Sequence, residues 1–178
     1  AKLKEEYGEE RAQAIFESLL VRNKASIRVT DLGRKEEIQA LLEANNSLLA
    51  TTGLVKEQGH FAGHDLFADG AITIQDESSQ LVTPTLDLQG NEQVLDACAA
   101  PGGKTAHIAS YLTTGQVTAL DLYDHKLDLI QENAQRLGVA DRVQTQKLDA
   151  RKVHEFFGQA SFDKILVDAP CSGIGLLR

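Results

Sequence analysis

Hydrophobic and polar residues follow mixed periods through the first half of the chain. Helical spacing, strand-like alternation and short glycine-separated runs succeed one another there, which is typical of a small α+β domain. The predicted elements are a helix, a strand, a helix, short extended pieces, a strand and a capped helix, in that order, over residues 2–20, 26–30, 35–44, 48–67, 71–75 and 76–86. We predict a domain boundary near Asp69, with the small domain over residues 1–69.

From Glu92 onward, apolar strands alternate regularly with helices. The predicted strands cover residues 93–96, 117–121, 143–147 and 164–168, and the predicted helices cover residues 104–111, 124–137 and 151–157. This alternation demands a parallel sheet with right-handed crossovers. Since a doubly wound sheet has strands on both sides of its switch point, four strands predict a truncated Rossmann-like α/β domain over residues 70–178.

Composition and the chain ends narrow the class of protein. Apolar residues make up 42% and charged residues 25% of the 178 residues, as in globular domains. The sequence has no signal peptide and no apolar run near the roughly 20 residues that span a bilayer, so we expect a cytoplasmic protein that does not bind membranes. The lack of methionine and the end at Arg178, directly after a strand and loop, predict an internal fragment.

The net charge of −8 excludes a generally basic nucleic-acid-binding protein, because phosphate affinity depends on Lys and Arg. Any RNA contact must therefore be local. Residues 22–35 are the candidate surface, since five basic residues there outnumber Asp31 by four. A solvated charged surface explains the same pattern. The basic residues are Arg22, Lys24, Arg28, Arg34 and Lys35.

The sequence DACAAPGGKT over residues 96–105 follows a predicted strand and opens a helix. Its small residues let the backbone approach a ligand beside a helix N-terminus at the switch point of the sheet. This arrangement predicts a nucleotide-like ligand. A tight turn at Pro101, Gly102 and Gly103, without any ligand, is the alternative.

Two further carboxylates follow the second and third predicted strands of this domain. Asp121 comes 18 residues after Gly103, near the spacing at which an acidic residue binds the ribose in this architecture. Asp124 is the better candidate for a helix cap, which leaves Asp121 available for a ligand. Asp149 follows the third strand and is placed to accept a hydrogen bond from an adenine amino group, with a purely structural role as an equal alternative.

The residues GGKT, together with ILVD over residues 165–168, imitate the phosphate-binding loop and the magnesium-binding acid of an NTPase. The imitation is incomplete, because the phosphate loop has glycine six positions before its lysine, and Cys98 stands at that position before Lys104. Asp121 also has no role in an NTPase site. The sequence therefore disfavours this alternative.

The sequence DAPCSG over residues 168–173 brings a carboxylate, a proline and a thiol together after the fourth predicted strand. In combination with DACAAPGGK, it strongly resembles the NOL1/NOP2/Sun family of RNA cytosine methyltransferases. GAITIQDESSQ over residues 70–80 is similar to the segment that precedes the catalytic domain in that family. The resemblance extends over residues 2–178 and is closest to the bacterial Sun/Fmu (RsmB) branch, which modifies small-subunit ribosomal RNA.

The resemblance implies a methyltransferase that uses S-adenosylmethionine to form 5-methylcytosine in RNA. In this family a cysteine thiolate adds to carbon 6 of the base, carbon 5 takes the methyl group, and loss of the carbon 5 proton expels the thiolate. The attacking cysteine lies in a downstream motif, and a second cysteine, matched here by Cys171, assists product release. No cysteine follows Cys171, so the resemblance implies that these 178 residues alone are inactive.

The resemblance also implies the remaining site residues. Asp168 is expected beside both the cofactor and a flipped cytosine, as a catalytic residue together with Cys171. The implied cofactor-binding residues are Cys98, Ala99, Ala100, Pro101, Gly102, Gly103 and Lys104 for the methionine part, Asp121 for the ribose, Asp149 for the adenine, and Asp168. Residues 1–69 then become an RNA-binding extension. A non-catalytic RNA-binding module of the same fold is the second hypothesis, and we expect no metal site.

Overall fold

The computed structural model describes residues 2–20 and 24–170, and the side chains of residues 19 and 20 are left undescribed. The helices α1 (Lys2–Tyr7) and α2 (Glu9–Leu20) belong to one compact unit, and residues 25–169 form another. Gly8, at a φ of 79°, separates α1 from α2, where the sequence predicts one helix. Across the described residues, no helix is both long and apolar enough to cross a bilayer.

The first sheet of residues 25–169 is antiparallel, with the strand order β2-β3-β1-β4. Its strands are β1 (Ala25–Val29), β2 (Asn45–Asn46), β3 (Gly53–Lys56) and β4 (Ile72–Ile74). Helix α3 (Lys35–Leu42) packs Ile38 and Leu42 into the apolar core of this sheet. The small α+β arrangement expected for the first half is therefore confirmed. Because β4 pairs with β1, this sheet extends past the boundary predicted near residue 69.

Short helices precede and follow β4. Helix α4 (Asp65–Ala68) lies in a stretch that the sequence predicts as extended. Helix α5 (Glu77–Gln80) is a single turn, and a separate 3-10 turn follows at Thr83–Leu86. The prediction of one capped helix over residues 76–86 is therefore wrong. Pro84 explains the break, since it has no N–H to donate and its ring collides with the preceding turn.

The second sheet is parallel throughout, with the strand order β7-β6-β5-β8. Its strands are β5 (Gln93–Asp96), β6 (Gln116–Asp121), β7 (Val143–Lys147) and β8 (Lys164–Leu166). The order runs outward from β5 in one direction and then reverses to place β8 on the other side. This is the arrangement of a Rossmann-like sheet with its switch point between β5 and β8, so the predicted fold class is confirmed.

Alternate residues of the second sheet enter two separate cores. Val94 and Val117 pack with the helices α6 (Gly103–Tyr111) and α7 (Asp124–Arg136) in the larger core. Leu95 and Leu120 pack in the smaller core, beside α8 (Val153–Phe156). Because successive side chains of a strand point to opposite faces, the sheet is covered by helices on both faces.

Arg136, the last residue of α7, joins the two sheets. Its Nη1 donates to the carbonyl oxygens of Phe67, at 2.8 Å, and Ile72, at 3.3 Å. Its guanidinium also lies 3.9 Å from the centre of the Phe67 ring. The α6–α7 side of the parallel sheet is thereby fixed against the end of the first sheet, and this contact places β4 and α5 beside the switch point.

Candidate functional site

The loop between β5 and α6 carries the sequence ACAAPG and lies at the switch point. The N–H of Ala99 donates to the carbonyl of Leu120 at 2.9 Å, and the N–H of Gly102 donates to the carbonyl of Ala99 at 2.8 Å. Gly102 has a φ of 98°, and a Cβ there would lie 2.9 Å from the Cα of Ile130. Glycine is therefore required at this position for both backbone conformation and space. The loop is a tight turn, as the predicted alternative has it, and it also borders a cleft.

Asp96 ends β5 and is almost completely buried. Its Oδ2 accepts a hydrogen bond from the Thr105 hydroxyl at 2.7 Å, while its Oδ1 has no hydrogen-bond partner among the described residues. Burial raises the pKa of Asp96 from its ordinary value to about 6, because desolvation disfavours the charged carboxylate. Sequence reasoning missed this residue as a site residue, although it is the first letter of the DACAAPGGKT motif.

Lys104 and Asp168 form an ion pair across the switch point. Lys104 Nζ lies 2.7 Å from Asp168 Oδ2, and the two side chains are 23% and 55% exposed. Lys104 comes from the first turn of α6 and Asp168 from the loop after β8. The two motifs that the sequence singles out are therefore in direct contact. Cys171, the other predicted catalytic residue, lies outside the described residues.

Asp121 ends β6 and organises the turn that follows it. Its Oδ1 accepts hydrogen bonds from the N–H groups of Leu122, at 2.7 Å, and Tyr123, at 3.3 Å. Asp124 is the first residue of α7 and pairs with Lys147 at 2.6 Å instead of capping the helix. The expectation that Asp124 caps α7 is therefore wrong. The fixed turn holds the Asp121 carboxylate at the carboxyl end of its strand.

Asp149 follows β7 and caps a short 3-10 turn. Its Oδ1 accepts from the N–H of Arg151 at 3.0 Å, and its Oδ2 lies 2.6 Å from the Arg151 guanidinium. The hydrogen bond from the Arg151 side chain lowers the pKa of Asp149 to about 2. The carboxylate is therefore ionised and is 19% exposed. It has the structural role that the sequence left open, and it lies at the edge where the adenine-binding residue is predicted.

Cys98 lies in the loop after β5 and is half-buried. Burial raises the pKa of its thiol, and the negative charges of four carboxylates raise it further. Those carboxylates belong to Asp96, Asp121, Asp168 and Asp149. Each of them follows one of the parallel strands, and two are paired, Asp168 with Lys104 and Asp149 with Arg151. A raised pKa keeps Cys98 a neutral thiol and makes it unsuited to act as a nucleophile.

A cleft of about 190 Å³ opens beside the loop after β5. Asp96, Lys104 and Asp168 line it together with most of the ACAAPG loop. Its other wall consists of residues from the end of β4 and from α5, namely Ile74, Gln75, Asp76 and Ser79. Sequence reasoning did not name these as site residues. The signal for them was the resemblance of residues 70–80 to a family segment, which carries no chemistry by itself.

The basic residues of the predicted RNA-binding stretch do not form one exposed patch. Arg28 is almost completely buried and donates from Nε to Gln75 Oε1 at 2.7 Å. Arg34 pairs with Glu37 at 2.9 Å, and Lys35 donates to the carbonyl of Thr51 at 2.5 Å. Arg22 lies outside the described residues. The expectation that Arg28 contributes to a charged surface is wrong, because β1 directs it into the interior.

The family and the relative that the sequence matches are both described as ribosomal RNA methyltransferases. The family described as 16S rRNA methyltransferase RsmB/F matches residues 83–178. The probable ribosomal RNA small subunit methyltransferase B of Bacillus subtilis is 44% identical over 97% of this chain and 40% of its own length. The chain therefore spans well under half of that relative.

Solved structures agree in fold. The crystal structure of PH0851 superposes with a TM-score of 0.87 at 32% identity, over 98% of this chain and 42% of that one. NSun6 from Pyrococcus horikoshii with SFG superposes with a TM-score of 0.84 over 96% of this chain and 69% of that one. At 21% identity, the second comparison shows the fold alone. From the sequence match over residues 83–178, the chain belongs to the 16S rRNA methyltransferase RsmB/F family.

Proposed function

We propose that this chain binds S-adenosylmethionine and contributes to the formation of 5-methylcytosine in small-subunit ribosomal RNA. One observation supports the proposal: three acidic residues, Asp76, Asp96 and Asp168, and one basic residue, Lys104, line a cleft at the switch point of the parallel sheet. The cofactor carries a sulfonium and an ammonium against one carboxylate, so its net charge is positive. A negative site at a Rossmann-like switch point suits such a ligand better than it suits a nucleoside triphosphate. The family assignment gives no support to the NTPase alternative.

The described residues fit this cofactor. Asp96 Oδ1 is buried and accepts no hydrogen bond from the described residues, and a buried carboxylate oxygen needs a donor such as the cofactor ammonium. Gly103 leaves open space where a side chain would stand, so the loop backbone is accessible to a ligand. In the proposed assignment, Cys98 to Lys104 contact the methionine part, Asp121 holds the ribose, and Asp149 lies on the adenine side. When bound, the cofactor supplies the methyl group.

Asp168 is the residue proposed to contact the target base. The Asp168 carboxylate is more than half exposed beside the cleft and accepts hydrogen bonds, so it suits the exocyclic amine of an extruded cytosine. Lys104 holds the carboxylate in place through its 2.7 Å ion pair. Cys171, which directly follows Pro170, is proposed to assist release of the methylated base.

The RNA partner and the extension over residues 1–69 belong to the same proposal. Arg34 is exposed and Lys35 is half-buried on the first domain, and they replace the full predicted patch as the proposed local cationic contact for RNA. A non-catalytic RNA-binding module of the same fold is the competing function. The two differ in the use of the cofactor, because only the enzyme needs the cleft beside Asp96 to hold S-adenosylmethionine.

Incubation of unmodified small-subunit ribosomal RNA with labelled S-adenosylmethionine and the 178-residue polypeptide tests the proposal. We expect cofactor binding without 5-methylcytosine in the digested nucleosides, because no cysteine follows Cys171 in the sequence. Nucleoside mass spectrometry is the readout. A 5-methylcytosine peak from this polypeptide would contradict the proposed need for a further cysteine, and absence of cofactor binding would favour the non-catalytic module.

A further inference from the structure

Gln75 stands in the wall of the cleft opposite the ACAAPG loop. It follows β4, is 7% exposed, and lines the cleft together with Asp96 and Lys104. Its side-chain Nε2 is buried and has no hydrogen-bond partner within the described part of the chain. A buried amide donor without a partner costs about 1–3 kcal/mol, so this atom requires an explanation from its surroundings.

The orientation of the Gln75 amide is fixed by Arg28. The Arg28 Nε donates to Gln75 Oε1 at 2.7 Å, and a guanidinium has donors alone. The amide oxygen must therefore face Arg28, and the amide N–H groups must face away from it. The backbone of Gln75 is held as well, since Gln80 Nε2 donates to its carbonyl at 2.9 Å and its own N–H donates to the carbonyl of Ser26 at 3.3 Å.

Two residues that line the cleft therefore each carry a buried polar atom that has no hydrogen-bond partner among the described residues. Asp96 Oδ1 is an acceptor and Gln75 Nε2 is a donor. An α-amino acid group presents an ammonium and a carboxylate on one carbon atom, and so needs one acceptor and one donor. In a cleft that Asp76, Asp96 and Asp168 also line, a ligand carboxylate needs a fixed donor more than any other group does.

We propose that Gln75 donates a hydrogen bond to the carboxylate of the methionine moiety of S-adenosylmethionine, and that Arg28 is the positioning residue that fixes the Gln75 amide. This inference rests on the proposed cofactor. Gln75 binds the cofactor, and Arg28 acts through Gln75 without touching the ligand. The buried arginine in β1 thereby couples the first sheet to the cofactor site.

The test compares S-adenosylmethionine with decarboxylated S-adenosylmethionine, which lacks the carboxylate alone. Dissociation constants are measured by calorimetry for the wild type, Gln75→Leu and Gln75→Glu. Leucine removes the donor, whereas glutamate keeps the acceptor for Arg28 and replaces Nε2 with an oxygen. We expect both variants to bind S-adenosylmethionine roughly tenfold to a hundredfold more weakly and to bind the decarboxylated ligand as the wild type does.

Arg28→Met is expected to weaken S-adenosylmethionine binding less than Gln75→Leu does, with Arg28→Lys restoring part of the affinity. Thr83→Val is the matched control, because the Thr83 hydroxyl is also buried without a partner among the described residues but lies outside the lining of the cleft. Thr83→Val should leave the affinities for S-adenosylmethionine and for the decarboxylated ligand unchanged.

The outcomes separate the two proposals. If the Gln75 variants lose affinity for both ligands by the same factor, Gln75 has a purely structural role and the inference is overturned. Unchanged binding of S-adenosylmethionine by these variants also overturns it. Failure of the wild type to bind either ligand contradicts the proposed function itself. Should Gln75→Leu fail to fold, as judged by circular dichroism, Gln75→Glu decides, since a carboxylate there can still accept from Arg28.

Discussion

Asp96 has the most strongly shifted pKa among the residues that line the cleft. Its carboxyl is buried, has one hydrogen bond from Thr105, and has a pKa raised to about 6 by desolvation. A buried ionisable group with a strongly shifted pKa lowers the stability of the folded protein. Such groups are concentrated at functional sites. The position of Asp96 in the motif was readable from the sequence, but its burial and the free Oδ1 depend on how α6 covers the strand end.

Cofactor affinity should depend on pH through Asp96. Because the carboxylate form accepts the ammonium, affinity should fall as the pH drops through about 6, by about tenfold between pH 8 and pH 5. His107, whose pKa burial lowers to about 3, stays neutral over this range. Calorimetry across the pH range is the measurement, with Asp96→Asn as the control that should show weak binding and a flat profile. A wild-type affinity that does not change with pH would show that Asp96 does not bind the cofactor ammonium.

The same residue predicts a gain in stability on substitution. A pKa raised in the folded state means that the stability contribution of Asp96 is greatest below pH 4 and is lost as the pH rises through 6. Asp96→Asn removes that loss, so the free energy of unfolding without cofactor should rise by about 1–3 kcal/mol at pH 8 and change little at pH 4. Urea titration at the two pH values is the measurement, and a variant less stable at pH 8 would contradict the assigned burial.

Gly102 predicts a sharp contrast with its neighbour. Gly102→Ala places a methyl group 2.9 Å from the Cα of Ile130 at a φ of 98°, and should cost about 2 kcal/mol or more in stability. Gly103→Ala is the matched control, because no atom lies within 4 Å of its added Cβ and alanine favours the helix. Thermal unfolding midpoints compare the two. Equal midpoints would mean that the loop does not pack closely on α7.

At the scale of elements, the parallel strands were predictable and the connections were not. The four predicted strands with their intervening helices agree with the structure to within a few residues, because strand and helix patterns alternate regularly from Glu92 onward. The helix predicted over residues 76–86 breaks after Gln80, ahead of Pro84, and α4 occupies a stretch that glycines mark as extended. These short elements take their form from contacts with both sheets, which no local pattern records.

Helix α7 and the first sheet are joined by a contact whose strength is measurable. Arg136→Met removes the hydrogen bonds to the carbonyls of Phe67 and Ile72 and the stacking on the Phe67 ring. We expect a loss of about 2–4 kcal/mol in the free energy of unfolding. Arg151→Met is the control, because Arg151 is 87% exposed and pairs locally with Asp149. Equal denaturation midpoints for both variants would show that Arg136 does not fasten the sheets together.

At the scale of the whole molecule, the net charge of −8 has a specific distribution. Four acidic residues lie at the carboxyl end of the parallel sheet, which is the proposed site of a cationic cofactor. The sequence indicated this edge because Asp96, Asp121, Asp149 and Asp168 each follow a predicted strand. It did not indicate Gln75 or the burial of Arg28, because a single sequence does not show how β1 and β4 pack against the second sheet.

Calorimetric titration with S-adenosylmethionine shows whether the loops after the parallel strands form one site for a sulfonium nucleoside. We expect a single binding site for S-adenosylmethionine, no heat of binding from ATP, and loss of S-adenosylmethionine binding in Asp121→Ala. Binding of ATP in place of S-adenosylmethionine, or an Asp121→Ala variant that binds as the wild type does, would contradict this expectation.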